Sequence, residues 1–162
     1  MQPIGVSAGS LVVRPATSED LVFVKKLARE LFLGYGSYER YLESWFQDAG
    51  VATQIAEIDG VAAGFSMVAV YPEEDVTVAE LLAIGVTRSH QAGGVGGALL
   101  DAVIAQGAEA AVEVRLSVAD GNSRAQRLFA SRGFRMRQGI GLYPSGQRAR
   151  FMTLAMKRDP GP

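Results

Sequence analysis

The sequence predicts an α+β chain in three layers: a mixed, mostly antiparallel central sheet with helices on both faces. Three observations carry this. Apolar spacing switches between helix and strand periods in the order β-α-α-β-β-β-α-β-α-β-β. Asp59-Gly60, between two apolar strands, is a hairpin turn signal. An apolar strand ending at Val86 runs through a glycine-rich loop, residues 91–97, into an amphipathic helix.

Residues 1–10 read as a loose leader, and residues 11–158 as one domain. Leu11–Ala16 reads as the first strand. Thr17-Ser-Glu-Asp20 then supplies a capping-box start for a helix whose face is Leu21, Val24, Leu27, Ala28 and Leu31. Gly34 and Gly36 break it. Ser37 can cap a second helix with the stripe Tyr38, Tyr41, Leu42, Trp45 and Phe46, and Gly50 is its expected stop. Strands follow at Thr53–Ile58, Ala62–Tyr71 and Val78–Val86, with a turn at Pro72–Asp75. After the glycine loop, Ala98, Leu99, Ala102 and Val103 give the third helix its buried side. Val114–Val118 reads as a strand and Asn122 to Arg132 as a short helix stopped by Gly133. Phe134–Tyr143 and Arg150–Met156 close the chain as a hairpin around Pro144-Ser-Gly146.

Composition narrows the function. No apolar run reaches the ~18–20 residues of a membrane span, and the N-terminus lacks the basic start and apolar core of a signal peptide. The chain has no cysteine and one histidine, so thiol chemistry and cysteine or histidine metal sites are not expected. This reads as a cytoplasmic protein with no membrane partner. The net charge of −1 hides an asymmetry: residues 1–112 hold 6 Lys/Arg against 14 Asp/Glu, residues 113–158 hold 10 against 2. A basic second part including Arg124 and Arg127 either forms an ordinary solvated surface or attracts an anionic cofactor. The acidic first part suits a cationic acceptor. A chain that is not basic overall is not expected to bind nucleic acid.

The glycine loop carries the chemistry. Glycines let backbone N–H groups approach a ligand, and the first N–H groups of a helix are unpaired at the positive end of its dipole. A pyrophosphate fits there. The loop lacks the Lys and Ser/Thr of a P-loop, and Gly93, Gly96 and Gly97 lack the dinucleotide-binding spacing.

Gln91-x-x-Gly94-x-Gly96 instead resembles the coenzyme A signature of the GCN5-related N-acetyltransferases. Asn122-x-x-Ala125-x-x-Leu128-Phe129-x-x-x-Gly133-Phe134 is similar to that family's next helix, and Tyr143–Met152 resembles the closing hairpin of many members. The resemblance spans about Leu11 to Arg158 and is specific from Leu81 to Phe134. It implies the family's acyl-CoA N-acyltransferase fold, with strands Val78–Val86 and Val114–Val118 splayed around the pantetheine arm of acetyl-CoA. Backbone groups of Ile84, Gly85 and Val86 would pair with that arm. Gln91, Ala92, Gly93, Gly94, Val95, Gly96 and Gly97 would hold the pyrophosphate; the family often has Arg where Gln91 stands. Asn122 would cap its helix, touch the cofactor, or both. Phe129, also assigned to the cofactor site, occupies the position where the family often has an acid Tyr. Ser117 stands where some members carry a base Glu.

Two residues are candidates to replace those groups. Glu80 starts the fourth strand, where many members carry a base; strict alternation puts it on a face with Leu82, Ile84 and Val86 unless a bulge intervenes. Tyr143, beside the hairpin turn, can supply the missing hydroxyl. The alternatives are a solvated strand-end carboxylate and a hairpin packing residue. His90 reads as loop-stabilising. Leu33–Ser37 and the aromatics near them, Tyr38, Tyr41 and Trp45, are either core or lining of the acceptor pocket. The expected function is transfer of acetyl from acetyl-CoA directly to a primary amine of a small molecule or peptide, by a monomer or homodimer. The alternative is a non-catalytic acyl-CoA sensor, and transfer of a longer acyl chain depends on the room in the slot.

Overall fold

In the computed structural model, which describes residues 9–36 and 39–156, the chain runs β1 (Leu11–Pro15), α1 (Leu21–Phe32), α2 (Glu39–Gln47), β2 (Val51–Ile58), β3 (Val61–Glu73), β4 (Val76–Val86), α3 (Val95–Ala110), β5 (Glu113–Ala119), α4 (Ser123–Ser131), β6 (Arg135–Leu142) and β7 (Arg148–Ala155). The seven strands form one sheet in the order β1-β2-β3-β4-β5-β7-β6. Every neighbouring pair is antiparallel except β4–β5. The mixed, mostly antiparallel sheet expected from the sequence is therefore present, in the expected element order. Residues 1–8 of the expected leader, Ser37, Tyr38 and residues 157–158 lie outside the described residues.

Each face of the sheet carries helices because each presents an apolar set. Val24, Leu27, Ala28 and Leu42 of α1 and α2 pack on Ile55, Phe65, Met67 and Ala83. Leu100, Val103 and Phe129 of α3 and α4 pack on Val68, Ala79, Leu81, Val114 and Leu116. The Asp59-Gly60 turn forms as expected, both residues taking positive φ (51° and 80°). The capping box forms as well: the Thr17 N–H donates to Asp20 Oδ2 at 2.7 Å. Asp20 also pairs with Arg14 of β1 at 2.8 Å, which ties the first strand to the first helix and holds the Asp20 carboxyl below its usual range.

Several local expectations need correction. The β3–β4 hairpin runs further than its sequence pattern. Pro72 and Glu73 stay in β3, paired with Thr77 and Val76, and the turn contracts to Glu74-Asp75, with Glu74 at φ 53°. Pro72 is tolerated because proline is disfavoured in sheets only where its missing N–H is needed. Helix α2 ends at Gln47, before Gly50, because the Asp48 carboxylate takes the Gly50 N–H at 2.7 Å in a local turn. Tyr41, assigned to the buried stripe of α2, is 56% exposed and lies against Trp45. Helix α3 buries Val95, Leu99, Leu100 and Val103 together with Gly97 and Gly107; Ala98 and Ala102 are only half-buried. The helix is apolar on two sides because it fills the angle between two clusters of the core.

Gly64 holds β3 against the end of β4 that leads to the glycine loop. A Cβ there would lie 2.7 Å from the Gly85 carbonyl oxygen and close to Leu99 and Val95. Gly64→Ala is expected to destabilise the fold by about 1–3 kcal/mol through overpacking, read as a fall of roughly 2–4 °C in Tm per kcal/mol. An unchanged Tm would contradict the close approach of the two strands. Asp20 gives a second test. Its folded pKa lies below its unfolded one, so its contribution is present above the unfolded value, near about pH 4, and is lost as pH falls. Asp20→Asn is expected to lower Tm at neutral pH and to flatten its decline on acidification.

Candidate functional site

A one-residue insertion opens the site. Between β3 and β4 the register passes from Val68–Leu81 to Met67–Ala83, leaving Leu82 as an extra residue on β4. A bulge bends its strand and ends regular pairing. On the other edge of β4 the parallel ladder to β5 holds only Ala79–Val114, Glu80–Arg115 and Leu81–Leu116. Beyond Leu81 the two strands part. The gap is a cavity of about 130 Å³ with Leu82, Ala83 and Ile84 on one wall and Ser117, Val118 and Ala119 on the other. It shares Ile84, Asn122, Ala125 and Phe129 with a larger cavity of about 590 Å³ that opens toward the glycine loop.

The loop is built by backbone geometry. Thr87 leads into a 3-10 turn, Arg88–His90, closed by the His90 N–H to Thr87 oxygen bond at 2.9 Å. The Thr87 hydroxyl lies 2.7 Å from His90 Nδ1, so the single histidine stabilises the turn. Gly94 adopts φ 81° as the N-cap of α3, a left-handed conformation that favours glycine. The N–H groups of the following first turn are free of helical partners. At Gly97 a Cβ would lie 2.5 Å from the Arg132 guanidinium; glycine leaves that side of the helix open for an arginine. Gln91, Ala92, Gly94, Gly96 and Gly97 line the larger cavity beside Ile84, Gly85 and Val86, and Arg124 and Arg132 stand opposite. A cradle of N–H groups, a positive helix end and two arginines fits a pyrophosphate. Gly93 sits behind the loop, its N–H bonded to the His90 carbonyl. The Val95 side chain turns away into the core, fully buried with Ala56, Ala63 and Leu99.

Two expected residues of α4 reach the slot. Asn122 caps the helix, its Oδ1 accepting from the Ala125 N–H at 3.1 Å, and lines both cavities. Phe129 does the same from below, 3% exposed and packed on Phe134 with ring centres 5.9 Å apart.

The acceptor side differs from expectation. The Leu82 bulge breaks the alternation along β4. Ile84 and Val86 pack toward α3, whereas Leu82 and Ala83 pack toward α1 and α2. Counting back through regular strand from Leu82 puts Glu80 on the α1 face, opposite Ile84 and Val86. There it lies just outside the slot. The Tyr71 hydroxyl donates to Glu80 Oε2 at 3.2 Å. Burial, then the Glu80 charge, push the Tyr71 pKa up, so this phenol remains a donor. Arg115, the direct cross-strand neighbour of Glu80, turns instead to Glu73 and Glu113. Among the described residues, the carboxylate of Glu80 is hydrogen-bonded to the neutral Tyr71 hydroxyl.

Tyr143 lines the end of the slot with Phe32 and Tyr35. Its ring centre is 5.1 Å from that of Tyr35, Pro144 lies against Gly36, and Gln147 Nε2 donates to the Gly34 carbonyl at 2.8 Å. The β6–β7 turn and the segment after α1 thus clasp each other over the slot. Of the aromatics near Leu33–Ser37, Tyr35 enters the site; Trp45 packs on the core instead. Sequence reasoning missed Phe32, Tyr71 and Arg132. The aromatic end of β3, Tyr71-Pro72, was the available signal for Tyr71, but its contact with Glu80 depends on the β3–β4 pairing.

The model of the acetyltransferase (GNAT) family matches residues 21–134. Among solved structures, NAA60 of Arabidopsis thaliana in complex with acetyl-CoA superposes with a TM-score of 0.77 at 18% identity, over 90% of this chain and 98% of that one. YncA of Salmonella typhimurium with its cofactor acetyl-CoA gives 0.75 at 18% identity, over 94% and 98%. The ribosomal-protein-S18-alanine N-acetyltransferase of Escherichia coli gives 0.74 at 22% identity, over 93% and 97%. No curated protein sequence matches significantly. At these identities the structures show a shared fold, the acyl-CoA N-acyltransferase fold expected from the sequence.

Gln147→Ala tests the clasp. The bond is exposed, so the loss is expected to stay near about 0.5–1.5 kcal/mol, a fall of roughly 1–6 °C in Tm. Amide exchange at residues 34–36 and 143–147 is expected to accelerate. Unchanged exchange would mean that the ring contacts alone hold the two segments.

Proposed function

The chain belongs to the acetyltransferase (GNAT) family, and on that premise we propose that it transfers an acetyl group from acetyl-CoA directly to a primary amine of a small molecule or a peptide. One observation carries the reading: the parting of β4 and β5 joins a glycine cradle at one end to an aromatic opening at the other. Acetyl-CoA, when bound, supplies a thioester carbonyl open to attack by a neutral amine. In this reading Gln91, Ala92, Gly94, Gly96 and Gly97 hold the pyrophosphate with the N–H groups of the first α3 turn, and the edge of β4 that has parted from β5, at Ile84, Gly85 and Val86, pairs with the pantetheine arm. Gly93 shapes the loop, Val95 anchors it, and Asn122 and Phe129 form the floor.

Glu80 is proposed to take the proton of the incoming ammonium, directly or through water, because its carboxylate stands beside the slot with the neutral Tyr71 hydroxyl as a hydrogen-bond donor. Tyr143 is proposed to hold a proton for the departing thiolate from the opposite wall. A neighbour named as a ribosomal-protein-S18-alanine N-acetyltransferase supports a peptide acceptor; the acidic first part of the chain supports any cationic amine. The domain is proposed to span residues 11–158 and to work in the cytoplasm as a monomer or homodimer, without nucleic-acid or membrane partners. Among the described residues no helix is long and apolar enough to cross a membrane.

A thermal melt with acetyl-CoA is the first test. At a hundred times its dissociation constant the ligand is expected to add about 2.7 kcal/mol, several degrees in Tm. Glu80→Gln is expected to reduce thiol release by about a hundredfold while leaving that shift intact. No shift at millimolar acetyl-CoA would overturn the reading. A shift without thiol release across a panel of amines would establish the acyl-CoA sensor instead.

A further inference from the structure

We propose that Arg124 is the cation that neutralises the cosubstrate's pyrophosphate, supplied from α4 because the glycine loop carries none of its own. The inference rests on the acetyltransferase reading and assigns a residue to it. Residues 91–97 read Gln-Ala-Gly-Gly-Val-Gly-Gly: seven positions that offer backbone N–H groups and one neutral amide, but no positive side chain. A diphosphate diester carries two negative charges, and helix-terminal N–H groups offer only partial charge in return.

Arg124 lies across the slot from this loop, in the first turn of α4. Its Nη2 donates to the Gln91 carbonyl oxygen at 2.6 Å and its Nη1 to Gln91 Oε1 at 3.3 Å. It lines the larger cavity together with Gly94, Gly96 and Gly97. Both of its partners are neutral, so its charge is available. The other arginine on this wall, Arg132, donates to Asp101 at 3.1 Å and is already paired. The Gln91 amide itself is occupied, Nε2 donating to the Val86 carbonyl at 3.3 Å. Arg124 therefore spans the mouth of the slot where α4 faces the loop, holding the planar fork that suits phosphate oxygens. Its bonds to Gln91 keep that fork beside the cradle before the ligand arrives.

Calorimetric titration of the full chain with coenzyme A and with dephospho-coenzyme A, which keeps the pyrophosphate but lacks the 3′-phosphate, tests this without reference to turnover. Arg124→Gln is expected to weaken both ligands by about tenfold and to reduce the salt dependence of binding. Gln91→Arg in the Arg124→Gln background is expected to restore most of the loss, because it returns a cation to the same place from the loop side. Arg124→Lys keeps the charge without the fork and is expected to fall between. Wild-type affinity in Arg124→Gln overturns the proposal. A loss confined to coenzyme A overturns it too, by moving the contact to the 3′-phosphate. A wild-type chain that binds neither ligand overturns the acetyltransferase reading and this assignment with it.

Discussion

The site depends on one broken ladder. Parallel strands β4 and β5 pair over three residues and then separate, and the separation starts where Leu82 is inserted into β4. A continuous ladder would satisfy the backbone groups on that edge and leave no opening. The core tolerates the break because the surrounding contacts do not need it. On its other edge β4 remains paired with β3 out to Val86, and β5 is held along its length by β7. Helix α4 closes the gap from beneath through Phe129 and Leu128, so the slot has a floor while its wall of backbone stays unfilled.

The same break orders the electrostatics. The wall beside the glycine loop is met by Arg124 and Arg132; outside the slot, Arg115 pairs with Glu73 and Glu113, and Glu80 accepts from the Tyr71 hydroxyl. The loop-facing arginines, Arg124 and Arg132, belong to the basic second part of the sequence.

Much of this was legible because its signals are local. The Asp59-Gly60 turn, the Asn122 cap and the helix that follows the glycine loop are each determined within a few residues, and the structure has all of them. The bulge was not legible. One extra residue leaves no mark in composition or period; it is set by how β3 pairs with β4, and it moved Glu80 to the face opposite Ile84. The clasp between Gln147 and Gly34 joins residues 113 apart, and the Arg124 bond to Gln91 joins residues 33 apart. Such contacts depend on the finished fold, and no window of sequence contains both partners. The exposure of Tyr41 had a similar cause: helical spacing marks a stripe but not how wide a stripe the sheet can cover.

The replacement of a family tyrosine by Phe129 becomes intelligible in the same terms. Its ring is nearly fully buried between Phe134 and the slot. A hydroxyl there would need a hydrogen-bond partner in place of the packing that Phe129 makes with Phe134. Here Tyr35 and Tyr143 line the slot at the clasp, while the Glu80 carboxylate stands on β4 on the other side of the bulge. In the proposed reaction, proton donor and proton acceptor therefore belong to different walls: one on a hairpin turn held by a few exposed contacts, the other on a strand in the middle of the sheet. The sheet fixes where the amine loses its proton, and the clasp governs how the acceptor reaches it. Changes of acceptor preference in this chain are then expected to track residues 34–36 and 143–147 rather than the core, because those residues can move without disturbing the broken ladder.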